Sequence, residues 1–299
     1  MGIRKKVNKG RHFVNEGLWL VDADSYGSLK RRIVHSLRII VLTAKTFSAQ
    51  KIGFQSVALS FFCTMAVVPL LAVMLAVTDG LGLSGVIHNI LLENFPNNPD
   101  AVSTLMGFAG NVLEKASSSV WGFISAAFFV WLVIWMMLCV ETVFNNVWKV
   151  EKARSFSTRF WRDCAILLLS PFLLLMLYGG LVLLTDLIGG IWIKWFIFTI
   201  IAILTFSAMY KFIPNTKVHF KNAFKAAIFS GTAFVILQAV YVGSQIFMLR
   251  LSGIYGALAA IPFFMFWLNF SWYAILLGAE LSYAFQNVHE YKKNYEASK

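Results

Sequence analysis

The stretch LSGIYGALAAIPFFMFWLNFSWYAILLGA, residues 251 to 279, carries no charged side chain and is closed by Arg250 on one side and Glu280 on the other. Its twenty-nine residues exceed the run of about 18 apolar residues that marks a membrane span, and at about 1.5 Å per residue they outreach a hydrocarbon core roughly 30 Å thick. The stretch therefore predicts a transmembrane helix. Steps of about 100° around an ideal helix gather Tyr255, Pro262, Asn269, Tyr273 and Glu280 into one narrow arc. Hydrocarbon cannot hydrogen-bond an amide or a carboxylate, so such an arc must turn toward other helices or a wet cavity. Two readings stay open: the arc glues helices together, or it lines a substrate or ion path.

The whole chain repeats this character. Of 299 residues, 59% are hydrophobic and 13% charged, against about 25% charged in a soluble protein. An all-α polytopic membrane protein follows, with further spans at residues 54–77, 121–140, 164–185, 195–210 and 226–249. Pro69, Pro171 and Pro262 fall in the first, third and sixth spans, where the ring removes a backbone hydrogen bond and predicts a kink. Gly231, Gln238 and Gln245 recur every seven residues in the fifth span and share a face. Gln238 sits near the middle of its span, as Asn269 does in the sixth, which suggests them as partners. The first, fifth and sixth spans would then line any path through the bundle.

The formal net charge of +12 would suggest nucleic acid in a soluble chain, but its distribution explains it otherwise. Residues 1–53, the loops after the second and fourth spans and the tail hold 23 Lys and Arg, and the three remaining connections hold 3. That asymmetry predicts six helices with both termini in the cytoplasm, and a multi-pass place in the bacterial inner membrane. It leaves no basic surface that calls for nucleic acid. Within this frame residues 1–24 are a cytoplasmic segment with one apolar patch, Leu18-Trp19-Leu20-Val21, and residues 1–28 suggest no function. Residues 79–118 form a periplasmic segment with a short helix near 102–113, and the six-helix domain over 54–285 is followed by a tail, 286–299.

Residues 25–53 read as an amphipathic helix. Leu29, Ile33, Leu37, Ile40, Ala44 and Phe47 share one side, and Lys30, Arg31, Arg38 and Lys45 the adjoining one. This predicts a helix lying on the membrane, its cations facing anionic lipid headgroups; a solvated helix packed on cytoplasmic loops is the alternative. Homo-oligomers and envelope protein partners are left open.

Catalytic chemistry finds little to work with. His12, His35, His88, His219 and His289 are dispersed, Cys63, Cys139 and Cys164 are widely spaced, and neither a phosphate-binding loop nor a G-x-S-x-G elbow occurs. A non-enzyme without metal or cofactor is expected. Glu141 and Glu280 each close a span at the predicted cytoplasmic edge, as interfacial groups that pair with Lys or Arg, or as proton carriers or substrate contacts. Interhelical hydrogen bonds of about 0.6 to 2 kcal/mol would account for Gln238 and Asn269.

Several segments, taken in order, resemble the YihY or BrkB family of bacterial inner-membrane proteins. GFQSVALSFFCTMAVVPLL with Pro69 is similar to its first helix, and FNNVWKVEKARSF with Asn146, Trp148 and Arg154 to its loop after the second. YKFIPN, Tyr210 to Asn215, is similar to its fourth-helix exit, and IYGALAAIP with LLGAEL to its last helix, through Tyr255, Gly256, Pro262, Gly278, Ala279 and Glu280. The resemblance covers residues 45–286. It implies proteins that have been linked to serum resistance and proposed as transporters, envelope lipids included. They also once carried the mistaken label ribonuclease BN, against which the lack of an acidic metal cluster argues. The expectation is a transporter or translocator of lipid or another envelope component, with a non-transporting scaffold for envelope biogenesis as the alternative and a ribonuclease as a remote one.

Overall fold

The protein is described by a computed structural model over residues 17–20, 27–80, 85–94, 99–118, 120–150, 155, 157, 161, 191–255 and 260–297. Among the described residues every regular element is helical. A single turn, Leu18–Leu20, precedes α1 (Ser28–Ala49), α2 (Ile52–Gly80), α3 (Val86–Asn94), α4 (Pro99–Ser118), α5 (Val120–Val147), α6 (Ile191–Phe212), α7 (Phe220–Tyr255) and α8 (Ala260–Ala297). Among the described residues four helices are long and apolar enough to cross a membrane, over Val130–Val147 in α5, Trp195–Phe212 in α6, Phe220–Ser244 in α7 and Pro262–Tyr295 in α8. The predicted first span falls within α2, whose Ile52–Val67 is a shorter apolar stretch. The third, residues 164–185 with Pro171, lies outside the described residues.

The structure corrects the reading of the opening stretch. It is divided between two helices: α7 runs on through Leu251 to Tyr255, and α8 begins at Ala260. Gly253, Gly256 and Pro262 are the poorest helix formers in the run, and they outweigh its unbroken hydropathy. Pro262 consequently stands in the first turn of α8, where its missing N–H would have had no partner and no kink results. Pro69 lies inside α2, which continues past it to Gly80. Glu141 does not close a span either, since α5 runs two turns further, to Val147. The short helix expected near 102–113 lies within the longer α4, and α3 precedes it.

The last helix, α8, is the axis of the bundle. It packs on α7, α2, α1, α5 and α6, and its length of 38 residues lets it meet different partners at different levels. Small residues allow the closest approaches, as expected where hydrocarbon supplies no hydrophobic drive between helices. Ala223, Ala226, Ala227 and Ser230 of α7 and Ala279 of α8 are wholly buried. A Cβ on Gly231 would come within 2.8 Å of the Ile203 side chain and 3.2 Å of its Cα, so this glycine serves the seam between α7 and α6.

The tightest point joins three helices. The buried Tyr210 hydroxyl donates to the Ile275 carbonyl at 2.9 Å and lies 2.7 Å from Ser230 Oγ. Gly278 makes room for it: a Cβ there would be 2.6 Å from Ser230 Cβ and closer still to the Tyr210 hydroxyl. Gly278→Ala should therefore lower stability by about 1–3 kcal/mol through overpacking, and Tyr210→Phe by about 1 kcal/mol through the lost hydrogen bond. Thermal unfolding of the purified full chain in detergent checks both; an unchanged Gly278→Ala midpoint would contradict this close packing.

Candidate functional site

Buried polar groups collect at one end of the bundle, where the C-termini of α1 and α5, the α6–α7 loop and the second half of α8 meet. Backbone geometry builds this end. The last turn of α5 is closed by the Val150 N–H on the Asn145 carbonyl at 2.9 Å and the Lys149 N–H on the Asn146 carbonyl at 3.0 Å. Lys149 takes up the left-handed conformation this closure needs, at φ 52°. Lys51, between α1 and α2, has the same φ of 52°. Glycine is the usual occupant of such positions, and an L-residue costs about 1–2 kcal/mol there. Each helix end thereby gains a cation aimed from a fixed backbone.

The α6–α7 loop is clamped from two sides. Asn145 Oδ1 accepts the Asn215 N–H at 2.7 Å, and Gln286 of α8 accepts from the His219 N–H at 2.9 Å while donating to the Lys217 carbonyl at 3.0 Å. Lys211 donates to the Val218 carbonyl. These bonds satisfy backbone groups that the turn would otherwise leave unpaired.

Glu280 lies inside this frame. The sequence reading placed it at a boundary, yet the structure buries it completely, at 0% exposure, and Glu141 at 1%. Neither Glu280 oxygen has a hydrogen-bond partner. Thr46 of α1 faces the carboxyl group and the Lys149 charge acts on it, while the Lys149 ammonium sits 5.2 Å from the centre of the Tyr283 ring. Tyr283 in turn meets Trp148 edge-on at 5.6 Å. A carboxylate is costly to bury, and Thr46 and the Lys149 charge are the groups that act on it here. Helix α1 meets this side of α8: Phe47 packs on Tyr273 at 4.9 Å, two turns before Glu280.

The predicted polar arc therefore changes environment along α8. Pro262 is exposed, Tyr273 is 40% exposed, Asn269 is half-buried and Glu280 is sealed. Phe266 at 66% and Phe270 at 55% exposure flank the outward part. The side chains of Tyr255 and Gln245 lie outside the described residues, and Tyr255 belongs to α7. The suggested pair of Gln238 and Asn269 is not made. Trp267 meets Tyr241 and Phe234 of α7 at 5.2 and 6.4 Å, which puts Gln238, on the same face as those two residues, in the α7–α8 seam. Asn269 is about 200° from Trp267 around α8. It lies on the side of Trp272, whose indole Nε1 donates to Cys63 Sγ of α2 at 3.2 Å. Gln238 Oε1, Trp267 Nε1 and Asn269 Nδ2 are all buried without a hydrogen-bond partner.

Other residues of this end gave no chemical signal in the sequence. Thr46 and Lys149 looked like ordinary polar residues of an amphipathic helix and a basic loop. Trp19, wholly buried, packs on Tyr291 at 4.7 Å and under Lys45 at 5.9 Å, and Arg38 is buried with Nε donating to the Leu18 carbonyl at 3.1 Å. Arg38 and Lys45 thus hold the Leu18–Leu20 turn. The apolar patch around Trp19 was the visible sign of this docking. Among the described residues no group of three or more His, Cys, Asp or Glu is gathered that could hold a metal.

Comparison with known proteins gives this architecture a family. The family described as Virulence factor BrkB matches residues 43–299. A UPF0761 membrane protein of Acinetobacter baylyi is 28% identical over 85% of the chain and 64% of its own length, and one of Psychrobacter is 30% identical over 77% of the chain and 45% of its own length. A UPF0761 membrane protein of Coxiella burnetii is 29% identical over 80% of the chain and 89% of its own length. The chain spans less than two thirds of the length of the Acinetobacter relative. No solved structure matches it. The chain belongs to the BrkB family of membrane proteins.

The burial of Glu280 has a direct test in stability. Glu280→Gln keeps the volume and removes the charge, so its unfolding midpoint in detergent should equal or exceed that of the parent chain. Glu280→Lys places a second cation near Lys149 in a desolvated site and should cost on the order of 3 kcal/mol or more. A Glu280→Lys chain as stable as the parent would show that this position is open to water.

Proposed function

We propose that this BrkB-family membrane protein translocates an amphiphile of the lipid class, moving its polar part along the α2-facing side of α8. The observation that carries the reading is the change of environment along one arc of α8, outward at Pro262 and Tyr273, half-buried at Asn269 with an unbonded Nδ2, and sealed at Glu280. An amide donor in hydrocarbon without a partner is costly; a passing headgroup would supply one. The outward part is flanked by Phe266 and Phe270, a surface suited to acyl chains rather than to a water-filled cleft. The division of roles follows: Asn269 contacts substrate, while Gln238 and Trp267 hold the α7–α8 seam.

The reading takes the chain as six spans with both ends in the cytoplasm, in the bacterial inner membrane and without catalytic chemistry of its own. The 23 to 3 distribution of Lys and Arg supports that orientation, and the four apolar helices among the described residues support a membrane-spanning bundle.

Proteoliposomes holding phosphatidylglycerol with a nitrobenzoxadiazole-labelled headgroup test the proposal through the rate at which inner-leaflet label becomes reducible by dithionite. The full chain should raise that rate over empty vesicles, and Asn269→Leu should lose at least about ten-fold while unfolding at the same temperature. Gln238→Leu should transport normally. A parent chain no faster than empty vesicles would favour the scaffold alternative, and an unaffected Asn269→Leu would remove the α2–α8 path.

A further inference from the structure

Glu280 is fully buried with neither carboxyl oxygen hydrogen-bonded, and the two groups that act on it suit different protonation states. Thr46 of α1 faces the carboxyl group, but a threonine hydroxyl has one hydrogen to give. Its Oγ1 stands 2.9 Å from the Leu42 carbonyl and 3.2 Å from the Thr43 carbonyl of its own helix. Those carbonyls hold the hydrogen on α1, because turning it outward would leave three oxygens facing one another with no hydrogen between them. What Thr46 offers Glu280 is therefore lone pairs. A carboxylate, which only accepts, gains nothing from them; a carboxylic acid has an O–H to donate. Lys149 at the end of α5 is suited to the other state. Its ammonium is the counter-charge of a carboxylate and acts on Glu280, yet it is placed 5.2 Å from the centre of the Tyr283 ring, one turn past Glu280 on α8, and the residue is exposed. With its backbone fixed at φ 52°, the flexible stem of Lys149 alone decides between ring and carboxyl.

Other titratable side chains of the helices packed on α8 are committed elsewhere. Tyr210 of α6 is bonded to the Ile275 carbonyl and Ser230, and Cys63 of α2 to the Trp272 indole. Lys225 of α7 lies at the Phe285 ring, and on α1 Lys45 lies at the Trp19 ring and His35 stacks on His289. Glu141 of α5 is the other buried acid among the described residues, two turns before Lys149.

We propose that Glu280 is a proton-binding site that exchanges partners with its charge. As the neutral acid it donates its O–H to Thr46 Oγ1 and joins α8 to α1; as the carboxylate it draws the Lys149 ammonium off the Tyr283 ring and joins α8 to the end of α5. The proton is taken from hydronium and returned to water on the side where Lys149 is exposed, and no other bond is made or broken. The Lys149 charge beside the carboxyl selects a proton over a metal cation, which it would repel, and among the described residues no group of three or more metal-ligating side chains is gathered. The exchange needs no substrate, so it stands or falls apart from translocation.

Infrared difference spectroscopy of the full chain in neutral detergent, titrated from acid to alkaline pH, reads the C=O stretch of a protonated carboxyl group directly. The parent chain should show such a band in acid that Glu280→Gln lacks and Glu141→Gln keeps, and the band should vanish toward alkaline pH. Thr46→Val removes the acceptor and should lower the proton affinity by about five-fold, with Thr46→Ser restoring it. Lys149→Gln removes the counter-charge and should raise the affinity by about ten-fold. A merely structural role for these two residues would not move the midpoint in opposite directions. Should Glu280→Gln not fold, those opposite shifts assign the band, since one variant conserves shape and the other changes an exposed side chain. A parent chain without a titrating band of this kind, a band lost in Glu141→Gln instead, shifts of the same sign in Thr46→Val and Lys149→Gln, or a band set by sodium concentration at fixed pH would each overturn the proposal.

Discussion

The hydrogen bond from the Tyr210 hydroxyl to the Ile275 carbonyl, made across the bare face of Gly278, sets the distances on which the rest of the bundle depends. A phenol reaching a helix carbonyl from a neighbouring helix requires that no side chain stand between them, and glycine alone satisfies this. Ser230 of α7 completes the junction, so α6, α7 and α8 are fixed at one level by polar contacts, each small on its own but all desolvated. With α8 held there, the residues beyond Gly278 have no freedom to turn outward. Ala279, Glu280 and Ser282 beyond it are all wholly buried.

Burying Glu280 in that way makes α1 more than an attachment. Thr46 faces the carboxyl group and Phe47 seals the approach from Tyr273, while the two lysines in left-handed conformation, Lys51 and Lys149, terminate α1 and α5 beside it. Strain of this kind persists only where surrounding structure over-determines it. Here Gln50 Nε2 donates to the Val147 carbonyl at 3.4 Å, so the two helix ends that carry strained lysines are tied to each other. A movement of α1 would loosen the α5 terminus, the cover of Glu280 and the Trp19 docking together.

Hydropathy and charge made the class of fold legible: apolar segments bounded by cations gave helices, and α5, α6, α7 and α8 lie where segments were expected. Their ends were not legible. A helix stops where backbone groups find other partners, and Val147 and Tyr255 were invisible to a scan that ends a span at the first charge or continues it through Gly253 and Gly256. The arc on α8 illustrates both outcomes. Its spacing correctly gathered Asn269, Tyr273 and Glu280 on one side of one helix, but periodicity carries no information about what faces a side at each level, so exposure at Tyr273 and complete burial at Glu280 came only from the packing. The pairing of Gln238 with Asn269 failed for the related reason that mid-span depth fixes height and leaves rotation free.

Rotation also explains why chemically quiet residues matter most at the basic end. An amphipathic reading divides a helix into one apolar and one polar side, whereas α1 has two apolar sides, one against α8 and one uncovered, with cations between them. Cations between two apolar faces cannot all reach solvent on equal terms: Arg38 and Lys45 turned inward to the Leu18–Leu20 turn, and Arg31 stayed with His35 and Lys225. The cations of α1 are thus divided between holding the N-terminal turn and the neighbourhood of His35 and Lys225.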